Sequence, residues 1–262
     1  MTSPLTAIDV VCFKWGPLYT ADHVNRLRGM VVRNLPADVT VHCATDDPTG
    51  IDSDIRIHPL SDLPPLGWDA GHGNKLVAFS PDFLGLAGRH ILVLDLDVVV
   101  VGSLDFVLDR PDVPFLIAPG HGQHAGTRGH AAVYRLVVGS RSHVWDDLVA
   151  DPAAAIASCP HQSGVPGHLS EQMWLERTLP DMDFFPPGLV AYYRQDCRAQ
   201  GRTLFGAVGR RWNLTTAMWG TATPPRGTKV VSFAGRVQPW EVAASRHGVW
   251  RRAPFVQENW RA

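Results

Sequence analysis

Residues 90–101 read HILVLDLDVVVV, an apolar run interrupted only by two aspartates. The stretch His90 to Leu94 is short, apolar and rich in β-branched residues, and so reads as a buried strand. Asp95 and Asp97 follow at its carboxyl end, and the period-2 rule points both side chains the same way. Buried carboxylates this close repel one another unless something neutralises them. A hard divalent cation does so: Mg²⁺ or Mn²⁺ takes one or two carboxylates and fills its other positions with phosphate oxygens and water. Asp95 and Asp97 are therefore the candidate ligands for a metal-bound diphosphate. A bare pair of turn aspartates is common, but here an apolar strand precedes the pair and VVVVGSLD follows it.

The segments before this strand say what surrounds it. Ile8 to Phe13 (IDVVCF) is a second apolar, β-branched run, closed by the loop KWGPLY. Thr20 caps a helix in which Val24, Leu27, Val31 and Leu35 recur at helical spacing, with Pro36 as the stop. Val39 to Ala44 and Ile55 to Leu60 are further strands. Strand, helix, strand, strand implies a parallel α/β sheet with crossovers, whose ligands bind beyond the carboxyl ends of the strands. Loops 14–19 and 45–49 then belong to the binding edge. Further on, the sequence predicts a helix from Lys75 to Leu86 that Pro81 kinks. It predicts strands at Pro114 to Ala118, Ala131 to Val138, Leu189 to Tyr193 and Lys229 to Phe233. Helices are expected at Ser142 to Val149 and, capped by Ser170, at Leu169 to Leu179. The Gly- and His-rich stretch 119–130 reads as a mobile loop. No internal repeat or linker divides the 262 residues, so a single domain over 1–262 is expected.

Composition narrows the function classes. Hydrophobic residues make up 45% and charged residues 19%, which excludes a disordered chain. A formal net charge of −1 lacks the basic surplus of a nucleic-acid binder. No apolar run approaches the ~20 residues that span a bilayer, and residues 1–8 lack the pattern of a signal peptide. Cys12, Cys43, Cys159 and Cys197 form no CxxC pair and read as free thiols of a reducing cytoplasm. Lys14, Lys75 and Lys229 are the only lysines.

Two enzyme classes place DxD at the end of an apolar strand. In dehalogenase-type phosphatases the motif lies near the N-terminus, is followed by Gly-Thr, and is answered by a later GDxxxD. Here Val98-Val99 follows, and no GDxxxD occurs downstream. The nucleotide-sugar glycosyltransferases carry it mid-chain. The ordered blocks IDVVCFKWGPLYT, CATDD, GNKLVAF and LDLDVVVVGSLD resemble the bacterial glycosyltransferases of GT-A fold, similar to family 8, over about Ile8 to Trp240.

That resemblance implies a GT-A, Rossmann-like, mostly parallel sheet flanked by helices, and it assigns roles. Phe13 and Lys14, after the first strand, hold the base through the backbone, and Tyr19 stacks near it. Lys75 opens the helix before the DxD strand and meets the diphosphate or sugar. Glu171 and Gln172 match the acidic-Gln pair on the β face of the donor sugar, where Gln steadies the developing positive charge. Gly235, Pro239 and Trp240 fall at the spacing of the C-terminal HxxGxxKPW motif. Two positions of that motif depart: Ser232 stands where the family has its metal-binding His, and Gln238 where it has Lys. Relatives that read FHG would place the His at Ala234. His130-Ala131 replaces an Asn-Ser pair. Ser232, a water or one of His121, His124 and His130 is left to complete the metal shell, and Arg236 to replace the lost positive charge.

The reading is a cytoplasmic, metal-dependent glycosyltransferase. It moves a sugar from a nucleotide-sugar, UDP-linked by resemblance, to an acceptor that the sequence leaves open: a glycan, lipid-linked sugar, peptide or small molecule. Retention of configuration follows from the family. A non-catalytic nucleotide-sugar binding protein and a phosphatase using the DLD motif are the alternatives.

Overall fold

The computed structural model describes residues 3–63, 71–120, 128–161, 165, 167–212, 214–235 and 237–262. The chain divides into two compact units. The first comprises 1–21, 37–94 and 106–186; the second comprises 22–36, 95–105 and 187–262.

In chain order the elements are β1 (Ala7–Lys14), α1 (Ala21–Asn34), β2 (Asp38–Thr45), β3 (Arg56–Pro59), β4 (His90–Leu94), β5 (Val98–Val100), β6 (Phe115–Pro119) and β7 (Gly129–Val137). Then follow α2 (His143–Ala150), α3 (Pro152–Ser158), α4 (Glu171–Thr178), β8 (Asp183–Phe184), β9 (Val190–Tyr192), α5 (Tyr193–Asp196), α6 (Gly206–Arg211), β10 (Val230–Ser232), α7 (Pro239–Ala243) and α8 (Pro254–Asn259).

The first unit is built on a seven-stranded sheet of order β3-β2-β1-β4-β7-β6-β8. The expected parallel half is present: β1 pairs in parallel with β2 and with β4, and β2 with β3. β7 departs from it. It lies antiparallel between β4 and β6, a direction the sequence does not mark, since a run buried on both faces has the same pattern whichever way it points. One face of the sheet carries Val11, Phe13, Ile91, Val93, Phe115, Ile117, Tyr134 and Leu136 into the core, alternating as the pleat requires. α2 and α4 close that core, and the Trp174 indole N–H donates to Val144 O at 2.9 Å.

The predicted helix over Lys75 to Leu86 is corrected. The chain forms two 3₁₀ segments, Gly71–Phe79 and Phe83–Gly85. Leu76 to Phe79 are all buried, so the segment has no polar face to make an α-helix amphipathic. Leu84 at φ 58° and Gly85 at φ 70° then reverse the chain before β4. The predicted loop over 119–130 is also corrected at its ends. Pro119 closes β6, and Gly129 and His130 open β7.

Two buried polar clusters brace this sheet. On β1, Asp9 lies 3.0 Å from His42 Nε2 on β2 and pairs ionically with Arg89 at 2.8 Å, while His42 Nδ1 lies 2.9 Å from His58 Nε2 on β3. On β7, Arg135 is fully buried and donates to the carbonyls of Val107, Asp109, Arg110 and Val113. Burial and nearby Arg110 lower its pKa to about 10. The four cysteines are free and buried, with Cys12 and Cys43 opposite one another on β1 and β2.

The second unit carries a three-stranded sheet of order β5-β10-β9, antiparallel between β5 and β10 and parallel between β10 and β9. Met30 of α1 reaches β5, where its sulfur accepts from Val100 N. Gly29 lies against the chain terminus, and a Cβ there would come within 2.7 Å of Arg261 O. Among the described residues no helix is long and apolar enough to cross a membrane.

Candidate functional site

β4 ends at Leu94, and the chain passes directly to Asp95 and Asp97 before β5. In the second unit Asp95 is half-buried and Asp97 is 7% exposed. The backbone here is fixed from both sides. Val98 N donates to Asp95 O at 3.4 Å, and Phe233 N donates to Asp97 O at 3.1 Å. The second bond brings the C-terminal motif to the aspartates. Ser232 pairs with Val98 in the sheet, so the residue standing in place of the family His is one register step from Asp97. Ser232 is 1% exposed, and its Oγ accepts from Ala234 N at 3.4 Å. Gly235 follows at φ +110°, a conformation that side chains rarely adopt. Arg236 lies outside the described residues. Gln238 N, at the start of α7, donates to Glu241 Oε2 at 2.8 Å. Trp240 packs edge-on against His23 with centroids 4.4 Å apart and stacks near Trp260 at 5.9 Å, which makes it part of an aromatic cluster.

In the first unit the predicted residues fall into two groups. Lys14 closes β1, buried at 4%. Its ammonium donates to Asp47 O at 2.9 Å and to Thr45 Oγ1 at 3.5 Å, and lies 3.8 Å from Asp46 Oδ1. Gly16 N donates to Asp46 Oδ2. These bonds lock the loop after β1 to the loop after β2, as the carboxyl edge of a parallel sheet allows. The Phe13 ring stacks on Phe83 in the core, so only its backbone is available to a ligand. Tyr19 is half-buried in the same loop.

Lys75 and Glu171 form the second group. Lys75 Nζ lies 2.8 Å from Glu171 Oε2, and the two residues are 5% and 4% exposed. Glu171 is the first residue of α4, held there by Ser170, whose Oγ accepts from Met173 N. Each residue stands out in the sequence by itself, and their pairing is not legible there. Beside them, Gln172 Oε1 is buried with no hydrogen-bond partner among the described residues. A carbonyl left so costs about 1–3 kcal/mol, and such a cost is common where a group is kept for a substrate.

Of the histidines considered as metal ligands, His121 and His124 lie outside the described residues. His130 is buried in β7 with Nδ1 accepting from Ala132 N, which corrects its placement in a loop. Among the described residues no group of three or more His, Cys, Asp or Glu side chains is arranged to hold a metal ion.

No protein-family profile matches the chain, and no curated protein sequence matches it. Solved structures do. An active-site mutant of LgtC matches over 96% of this chain and 96% of its own, with TM-score 0.55 and 12% identity. The bifunctional glycosyltransferase WbbM matches over 97% of this chain, with TM-score 0.60 and 12% identity. The glycosyltransferase GlyE of Streptococcus pneumoniae TIGR4 matches over 97%, with TM-score 0.56 and 12% identity. The chain spans 49% of the WbbM chain and 60% of the GlyE chain. The likeness establishes the mixed α/β fold of the GT-A glycosyltransferases.

Proposed function

We propose that the chain is a metal-dependent glycosyltransferase that moves a sugar from a UDP-linked donor to an acceptor with retention. The observation that carries the reading is the Asp95/Asp97 pair at the exit of β4, one of its carboxylates buried, in a GT-A-like fold. The donor set fits a hard divalent cation. Two carboxylates suit Mg²⁺ or Mn²⁺, which leave several positions to water and phosphate oxygens. Asp95 and Asp97 would hold the ion, and when bound it supplies Lewis-acid stabilisation to the departing diphosphate.

The remaining residues bind and orient. The Phe13 backbone and Lys14 hold the base, and Tyr19 stacks beside it. The Lys75 ammonium fixes the Glu171 carboxylate, which accepts from sugar hydroxyls through its remaining lone pairs. This reading moves Lys75 from a direct diphosphate contact to a positioning role. Gln172 keeps its carbonyl oxygen for the developing positive charge at the sugar. Gly235 shapes the turn after β10 that faces the donor, and Trp240 anchors α7 against His23 of α1. We treat 1–262 as one GT-A-like domain and the cytoplasm as its location, in keeping with four free thiols.

A panel of nucleotide-sugars with and without Mn²⁺ tests the reading, scored by thermal shift and by released nucleotide. Mn²⁺-dependent stabilisation and turnover of a UDP-sugar are expected. Binding without turnover, in the presence of candidate acceptors, would make the chain a binding protein. Hydrolysis of simple phosphate esters without nucleotide-sugar binding would make it a phosphatase.

A further inference from the structure

A diphosphate bound at the metal of the proposed site brings negative charge beyond that of the two aspartates. A divalent cation cancels the two carboxylates, and the charge of a bound diphosphate is left over. Ser232 and Gln238 are neutral. Lys229 lies at the other end of β10, with its stem 3.0 Å from the position of a Cβ on Gly102.

The three-stranded sheet shows where a cation comes from. Val98, Ser232 and Tyr192 form one row across β5, β10 and β9. β5 runs against the other two, so the chain leaves this row on one side in all three strands. On that side lie Asp97 and Asp95, then the turn Phe233 to Gly235, then Tyr193 and Arg194 of α5. Strands are ~4.8 Å apart, which puts the outer two about 10 Å from one another. Arg194 reaches inward from the outer strand as far as Gly235, at the end of the middle strand. A Cβ on Gly235 would lie 2.7 Å from Arg194 Nη1, so the guanidinium rests on the open face of the glycine. Its Cζ lies 5.4 Å from the centre of the Trp250 ring, which orients the plane. Its Nε is buried with no acceptor among the described residues. The guanidinium is thus held in place by packing, with hydrogen-bonding capacity not spent within the fold.

We propose that Arg194 is the diphosphate-binding cation of this chain, contributed by the segment after β9 and packed on the face of Gly235. The planar fork suits two phosphate oxygens at once, which a lysine ammonium cannot match. The proposal rests on the glycosyltransferase reading for its ligand, but its test does not need a sugar or a nucleotide.

Titrate Mn²⁺ with inorganic diphosphate into the full chain and into Arg194→Gln, Arg194→Met and Arg236→Gln. Loss of at least tenfold in affinity is expected for both Arg194 variants, and a smaller loss for Arg236→Gln. Equal binding by parent and Arg194 variants overturns the assignment, as does loss confined to Arg236→Gln or no binding by the parent. Should neither Arg194 variant fold, the parent decides it. Mn²⁺ with diphosphate should protect Arg194 from phenylglyoxal, read peptide by peptide in a mass spectrometer, and absence of protection overturns the assignment. If the parent binds Mn²⁺ and diphosphate through Arg194 yet turns over no nucleotide-sugar, the glycosyltransferase reading fails and this one stands.

Discussion

Replacing Lys75 with Met tests whether the buried pair with Glu171 organises the first unit. At 2.8 Å and an effective dielectric of 20, the attraction is ~6 kcal/mol, against a desolvation penalty of several kcal/mol for each ion. The intact pair is therefore close to neutral for stability. Removing one partner is different, because the buried charge that remains loses its 2.8 Å contact, a change that costs about 3–5 kcal/mol. Lys75→Met and Glu171→Gln should each lose that much in urea denaturation at pH 7, and the double variant should lose less than their sum. Single-variant losses below about 1 kcal/mol, or strict additivity in the double variant, would refute the reasoning.

Two further predictions concern the fold. Gly29→Ala places a methyl where Ala262 Cα would be 2.7 Å away, and should cost about 1–3 kcal/mol by overpacking; a thermal midpoint equal to the parent's would contradict this. Acid should destabilise the chain through His42, His58 and His90, whose pKa values burial holds below the usual 6.5, that of His90 at about 4. In this direction the unfolded chain binds the protons first, so stability is complete above pH 6.5. It is lost as pH falls towards 4, at up to roughly 1.4 kcal/mol per pH unit for each histidine. His90→Gln should flatten the slope of urea-derived stability between pH 6.5 and 4.5, and an unchanged slope would count against the assignment.

What the sequence disclosed follows from which forces are local. β1, β2 and β4 were legible because IDVVCF, VTVHCA and HILVL are apolar, β-branched and bounded by turns. The Ser170 cap was legible because capping is a contact within one turn. The direction of β7 was not, since Ala131 to Leu136 would be buried either way. Arg135, inside that run, was a signal that went unread: an arginine in a core strand must find acceptors, here four carbonyls of 107–113. The 3₁₀ path through Lys75 was lost because apolar spacing alone does not separate it from an α-helix. At the site, Asp95, Asp97, Lys75 and Glu171 each stood out by residue type and position. Their partners did not, because Lys75 meets Glu171 from 96 residues away and Asp97 meets Phe233 from 136. Arg194 had no local mark among many arginines, and only the strand row β5-β10-β9 brings it to the aspartates' end of the sheet.

The central claim, a nucleotide diphosphate bound through a metal on Asp95 and Asp97, is tested most directly by titration calorimetry of UDP in Mn²⁺ and in EDTA, on the parent and on Asp97→Asn. Binding that needs Mn²⁺, and that Asp97→Asn loses while its thermal unfolding stays close to the parent's, is the predicted result. UDP binding that is indifferent to Mn²⁺ or to Asp97→Asn, or no binding by the parent under any of these conditions, would contradict the account.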